Sequence, residues 1–175
     1  MFSDPIKNVE QCGIQPGMDI ADLGSGSGHY SMAIAKALAS TGRVYAIDIN
    51  KDLLTKLNNN SVKENLFNIE VIWGDIDNLN GTKLRDYSVD MVFACNILFQ
   101  IENKAEFIKE IKRILKPGGG AVIVDWEDSF GGLGPKKENI VTKEFVLDIF
   151  GKSGFHLDRE INAGSHHYGF IFKKL

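Results

Sequence analysis

Met18-Asp19-Ile20-Ala21-Asp22-Leu23-Gly24-Ser25-Gly26-Ser27-Gly28-His29-Tyr30 runs from an apolar stretch onto an acid, crosses three glycines at alternate positions and enters a helical pattern. The stretch reads as strand, tight turn, helix. Without a Cβ, Gly24, Gly26 and Gly28 let the backbone take positive φ and let a ligand lie directly against the main chain. The helix that follows offers unpaired N–H groups and a partial positive charge, so an anionic group is expected at the turn.

The same alternation continues outward in both directions. Asp4-Pro5 is a helix-start signal for a short helix to about Gln11, and Pro16-Gly17 delivers the chain into the first strand. After the turn, Ala33, Ile34, Ala37 and Leu38 recur at helical spacing until Thr41-Gly42. Further apolar strands are expected at Arg43 to Asp48, Ile69 to Asp75, Val89 to Cys95 and Ala121 to Trp126. Helices intervene at Leu53 to Leu57 and at about Lys104 to Lys116, where Pro117-Gly118-Gly119-Gly120 is expected to stop the helix. Asn58-Asn59-Asn60-Ser61 is a weak point in the first of these, expected to be irregular or solvent-facing. A loop with Gly131-Gly132 and Gly134-Pro135, too glycine-rich to pack, suits a lid or substrate loop. Thr142 caps a last helix, and Phe155 to Ile161 and Tyr168 to Phe172 close the chain as an antiparallel hairpin.

Strands alternating with helices imply an α/β protein whose parallel sheet is covered on both faces. A ligand then sits at the carboxyl ends of the strands, near the point where strand order reverses. Asp48, Asp75, Asn96 and Asp125 all fall at those ends.

Composition restricts the alternatives. At 175 residues, 43% hydrophobic and 25% charged, the chain is expected to be one globular domain, 1–175, with residues 1–16 as an N-terminal cap segment. A net charge of -3 gives no basic field for nucleic acid. No run approaches membrane-spanning length, and Cys12 and Cys95 have neither metal-ligand nor disulfide-framework spacing, so a reduced, cytoplasmic setting without a metal is expected.

The spacing Gly24-Gly26-Gly28 is G-x-G-x-G, whereas the dinucleotide fingerprint is G-x-G-x-x-G. Asp48 suits a ribose diol in either kind of cofactor, and Asp75 suits the exocyclic amine of an adenine. Asp22 repels a pyrophosphate and attracts an amine. These demands together describe a ligand with an amine, a carboxylate, a ribose and an adenine.

The motifs Asp22-Leu23-Gly24-Ser25-Gly26-Ser27-Gly28, Asp48, Gly74-Asp75 and Leu115-Lys116-Pro117-Gly118-Gly119, in this order, resemble those of class I S-adenosylmethionine-dependent methyltransferases, most nearly the small-molecule type of ubiquinone/menaquinone biosynthesis. The resemblance implies a Rossmann-like three-layer sandwich with a seven-stranded, mostly parallel sheet of order 3-2-1-4-5-7-6 and strand 7 antiparallel. It also implies S-adenosyl-L-methionine as cofactor. Gly24, Ser25, Gly26 and Gly28 would hold its methionyl part with Asp22 near the amine. Asp48 and Ile49 would meet the ribose, Asp75 and Ile76 the adenine, and Asn96 the methionine end or the substrate. Asn96-Ile97-Leu98-Phe99 stands where some nucleobase amino-methyltransferases carry Asn-Pro-Pro-Tyr, which argues against base N-methylation.

Methyl transfer from a sulfonium is an in-line displacement that needs a positioned acceptor and makes a general base optional. Asp125, Glu127 and His166 are the candidate bases, set against the plainer readings of solvated loop acids and, for His166 and His167, surface turn residues. The acceptor, expected to be a small molecule, is unidentified. A non-catalytic cofactor-binding module and an NAD(P)-dependent oxidoreductase remain as alternatives, the latter disfavoured by the glycine spacing and by Asp22.

Overall fold

The computed structural model describes residues 3–130 and 132–175. Met1 and Phe2, the start of the expected cap segment, and Gly131, from the expected Gly131-Gly132 loop, lie outside the described residues. Strands β1 (Asp19–Leu23), β2 (Arg43–Asp48), β3 (Ile69–Trp73), β4 (Val89–Cys95), β5 (Leu115–Trp126), β6 (Phe155–Ile161) and β7 (His167–Lys174) form one sheet. The helices are α1 (Pro5–Glu10), α2 (His29–Ala37), α3 (Lys51–Lys63), α4 (Lys104–Ile114) and α5 (Lys143–Lys152).

The sheet order is β3-β2-β1-β4-β5-β7-β6, as expected. The pairings β1 with β2 and β4, β2 with β3, and β4 with β5 are parallel, while β7 is antiparallel to both β5 and β6. The order reverses beside β1, so the glycine turn leaves the sheet at its switch point. Both faces are covered because the central strands are apolar on both. Phe107, Ile108 and Ile111 of α4 and Val146 and Phe150 of α5 pack on one face with Leu23, Ala94, Ile123 and Phe170. Val9 and Cys12, with Ile34 and Leu38 from the α2 side, pack on the other with Ile20, Phe93, Val124 and Ile171.

Three local expectations are corrected. Asn58 and Asn59 are solvent-exposed, one of the two expected outcomes, but Asn58 to Ser61 do not make α3 irregular, since it runs unbroken to Lys63. Asn50 caps its start, Leu54, Leu57 and Ser61 are buried, and Ser61 Oγ donates to the Asn58 carbonyl at 2.9 Å. Burial of one face outweighs the low helix propensity of asparagine. Second, Pro117 to Gly120 do not separate α4 from the next strand. Leu115 is already extended (φ -71, ψ 133), and β5 begins there. Pro117 disfavours the helical region for the residue before it, and the glycines are taken up in an irregularity between the Val89–Leu115 and Met91–Gly120 pairs. Third, the loop after β5 does pack. A Cβ on Gly134, at φ +84, would stand 2.7 Å from the Trp126 ring, so the backbone there lies flat on the indole. Ser129 Oγ also donates to the Pro135 carbonyl. Among the described residues no helix is long and apolar enough to cross a membrane.

Candidate functional site

A cleft of about 810 Å³ opens at the carboxyl edge of the sheet. The turn after β1 forms its floor. Gly24, Gly26 and Gly28 have φ values of 73, 55 and 92, the left-handed region that favours glycine. Their spaces differ. A Cβ on Gly26 meets nothing within 4 Å, one on Gly24 would stand 2.7 Å from Ile97 Cγ1, and one on Gly28 would stand 2.4 Å from Leu57 Cγ. Gly26 therefore faces open cleft, Gly24 makes room for the segment after β4, and Gly28, the N-cap of α2, makes room for α3.

Acids converge on this floor. Asp22, 2% exposed, is the penultimate residue of β1, beneath the turn, and accepts from Ser31 Oγ at 2.6 Å. Burial pushes its carboxyl up to about 6 despite that bond. Asp48, at the end of β2, accepts from the Gly26 N–H through one oxygen and from the Asn50 N–H through the other, each at 2.8 Å. Each oxygen retains a second acceptor site for a ligand hydroxyl. Asp75, two residues beyond β3, accepts from the Asp77 N–H at 3.1 Å and from Asn78 Nδ2 at 2.7 Å.

Of the residues assigned by resemblance to the cofactor, Asp22, Gly24, Ser25 and Gly26, with Asp48, Ile49, Asp75, Ile76 and Asn96, all line the cleft. Gly28 does not. Ser25 Oγ and Asn96 Oδ1 are buried there without a hydrogen-bond partner. Buried orphaned polar atoms are uncommon because each costs about 1–3 kcal/mol, so a polar ligand suits this cleft. Asn96 holds φ 56 while its N–H donates to the Val124 carbonyl at 2.8 Å, which fixes it just past β4.

None of the three candidate bases lines the cleft. Asp125 is not a solvated loop acid: it is 1% exposed and accepts from the N–H groups of Leu98 and Trp126, each at 2.8 Å. Burial pushes its carboxyl up to about 6. Glu127 is paired with Lys143 at 2.7 Å, and His166 is paired with Asp128 and stacked on Phe130. His167 departs from the expected surface turn. It opens β7, is 5% exposed and lies against Trp126 with ring centroids 4.2 Å apart. The described residues contain no cluster of three or more potential metal ligands.

Ser3, Tyr30, Asp77, Cys95 and Gln100 also line the cleft and were not singled out from sequence. Cys95 and Gln100 were within reach, since both flank the strand-end residue Asn96. Ser3 and Tyr30 were not, because only the docking of α1 on α2 brings them together.

A switch-point cleft with a glycine floor and strand-end acids, on a sheet of this order, defines a class I methyltransferase fold. The chain belongs to the methyltransferase-domain family, whose model matches residues 14–165. A ubiquinone/menaquinone biosynthesis C-methyltransferase of Hydrogenovibrio crunogenus is 32% identical over 122 residues, 67% of this chain and 46% of that protein. A demethylmenaquinone methyltransferase of Staphylococcus aureus is 31% identical over 148 residues, 82% of this chain and 57% of that protein. The chain thus spans about half the length of these relatives. The crystal structure of a SAM-dependent methyltransferase from Aquifex aeolicus superposes with a TM-score of 0.89 at 26% identity, covering 99% of this chain and 91% of that one.

Proposed function

We propose that this chain, as a single domain with residues 1–16 as its cap, transfers a methyl group from S-adenosylmethionine to a small-molecule acceptor. The observation that carries this reading is the convergence of Asp22, Asp48 and Asp75 on the open backbone at Gly26. Asp22 and the orphaned Asn96 Oδ1 suit an ammonium group, and the orphaned Ser25 Oγ suits a carboxylate. Asp48 suits a ribose diol, and Asp75 with Ile49 and Ile76 suits an adenine between apolar walls. When bound, S-adenosylmethionine supplies an activated methyl group on its sulfonium.

The residues of the chain bind and orient. The ordered turn and the strand-end acids fix the donor, and the segment from Asn96 to Ile101 faces it as the acceptor side. Asp125 is a positioning residue, holding the Leu98 amide and with it this segment. Since none of the three candidate bases faces the cleft, we assign no general base. That same observation favours one alternative, a cofactor-binding module without its own chemistry. The reading places the protein in the cytoplasm, in keeping with two free thiols at Cys12 and Cys95.

The test is calorimetric titration with S-adenosylmethionine and its demethylated product, followed by methyl transfer from labelled cofactor into a cell extract. Saturable binding with transfer is expected. Binding without transfer supports the module, and no binding to the folded protein overturns both readings.

A further inference from the structure

Resting on the methyltransferase reading, we infer that the part of the cleft lined by Tyr30, Cys95 and Gln100 is the acceptor site, and that it takes a molecule that carries no phosphate or carboxylate and bears a hydrogen-bond-accepting atom held by the Tyr30–Ser3 hydroxyl pair. The cleft, at about 810 Å³, lies toward the upper end of the ~300–1,000 Å³ typical for one drug-sized ligand, which leaves room beside the cofactor.

Charge sets the class. Among the described residues the cleft is lined by four carboxylates, Asp22, Asp48, Asp75 and Asp77, and by no lysine or arginine. Three of these acids are assigned above to the cofactor. Six other described lining residues, Ser3, Pro5, Tyr30, Cys95, Gln100 and Ile101, carry no formally charged side chain. Burial pushes the Tyr30 hydroxyl and the Cys95 thiol well above their ordinary values, so both stay protonated at neutral pH. The nearest lysine along this segment, Lys104, donates to the Ile101 carbonyl at 2.9 Å and does not line the cleft. A phosphate or carboxylate on the acceptor would therefore be desolvated without a lysine or arginine to pair it, beside Asp22 and Asp77.

Proton counting supplies the polar contact. Asn8 Nδ2 donates one proton to the Tyr30 hydroxyl at 2.7 Å and the other to Ser3 Oγ at 2.8 Å. Tyr30 and Ser3 also meet each other at 3.1 Å. Their mutual bond uses one of their two hydroxyl protons and leaves the second for another acceptor. The Cys95 thiol next to Tyr30 is only a weak one. A neutral carbonyl, hydroxyl or ring nitrogen on the substrate would complete the set.

The experiment separates a protein-free cell extract on an anion exchanger at about pH 8, where carboxylates and phosphates are fully ionised. Each fraction is then offered to the protein with labelled S-adenosylmethionine. Label is expected in the unretained fraction. Label confined to the retained, anionic fraction overturns the inference and leaves the proposed activity standing, whereas no label in either overturns both. Two variants sharpen the reading. Tyr30→Phe should raise the acceptor KM about tenfold, the fold-change of one lost hydrogen bond, with cofactor affinity by calorimetry unchanged. Gln100→Lys, at an exposed position, should admit label into the retained fraction, also with cofactor affinity unchanged. Weakened cofactor binding in Tyr30→Phe, with acceptor KM unmoved, would put this end of the cleft in the donor site and overturn the assignment.

Discussion

The Asp48 carboxylate holds the Gly26 amide at 2.8 Å, so the acid that ends β2 is also the brace of the turn that follows β1. Its other oxygen holds the Asn50 amide at the start of α3. One side chain thus sets the spacing between two neighbouring strand ends before any ligand arrives. Asp48→Ala should weaken S-adenosylmethionine binding by more than the about tenfold of one lost hydrogen bond, because the turn loosens as well. The stability loss should stay near 1–2 kcal/mol, since both freed amides can reach water. Calorimetry and a denaturant titration on one preparation check this, and unchanged affinity would mean the donor lies elsewhere.

Gly26 and Gly28 should respond oppositely to alanine. At Gly26 a Cβ meets nothing within 4 Å and φ is 55, so Gly26→Ala should cost about 1–2 kcal/mol of stability for the left-handed backbone. It should nevertheless impair cofactor binding, because the methyl group enters the cleft. At Gly28 the Cβ would stand 2.4 Å from Leu57 Cγ at φ 92, so Gly28→Ala adds an overpacking penalty of about 1–3 kcal/mol to the backbone term. Urea midpoints compared with ligand titrations separate the two effects. A Gly26→Ala variant that binds normally would contradict the open floor.

Asp22 carries a pH signature. Burial raises its folded pKa to about 6, above the ordinary carboxylate value, so between about pH 4 and pH 6 the native state holds a proton that the unfolded chain has lost. Its contribution to stability is fully present at the acid end and is lost as pH rises through about 6. Asp125, also near 6, adds the same sign. Asp22→Asn should therefore flatten the fall in stability across this window, measured by thermal unfolding at a series of pH values. A cation bound beside Asp22 favours its ionised form, so cofactor affinity should rise from about pH 5 to about pH 7 and then level off. An affinity independent of pH would remove Asp22 from the ammonium site.

Asp125→Ala should act through structure. It leaves the Leu98 and Trp126 amides without their carboxylate, at about 1–3 kcal/mol for each that stays buried. Because Leu98 belongs to the acceptor segment, the acceptor KM should rise more than cofactor affinity falls. Loss of transfer with both binding constants and stability intact would instead make Asp125 a base.

The sheet was legible because its central strands are apolar on both faces and several of them run to an acid at the rim, a pattern that survives without knowledge of neighbours. The floor was legible because a glycine at every second position admits few other uses. At Asn58 to Ser61 the solvent-facing asparagines were legible and the continuity of the helix was not, because propensity is local, whereas the burial of Leu57 and Ser61 is not. The same holds at the rim. Asp125 looks solvated until Leu98 is brought onto it, and His167 looks like a turn residue until β7 pairs with β5 and sets it against Trp126. Ser3 and Tyr30, 27 residues apart, meet each other and Asn8 only once the first helix is docked.

The place a side chain would take at Gly24 is filled by Ile97. The glycine turn and the 96–101 segment, the proposed donor floor and acceptor side, are therefore a single interlocked joint, and neither is an interchangeable part. Replacing the 96–101 segment to redirect the enzyme toward a different acceptor would succeed only with a residue of matching bulk at 97. A smaller one leaves a hollow under the turn, and a larger one lifts the turn away from Asp48. Diversification of substrate in this scaffold is thus constrained from beneath, by the donor side, at one position.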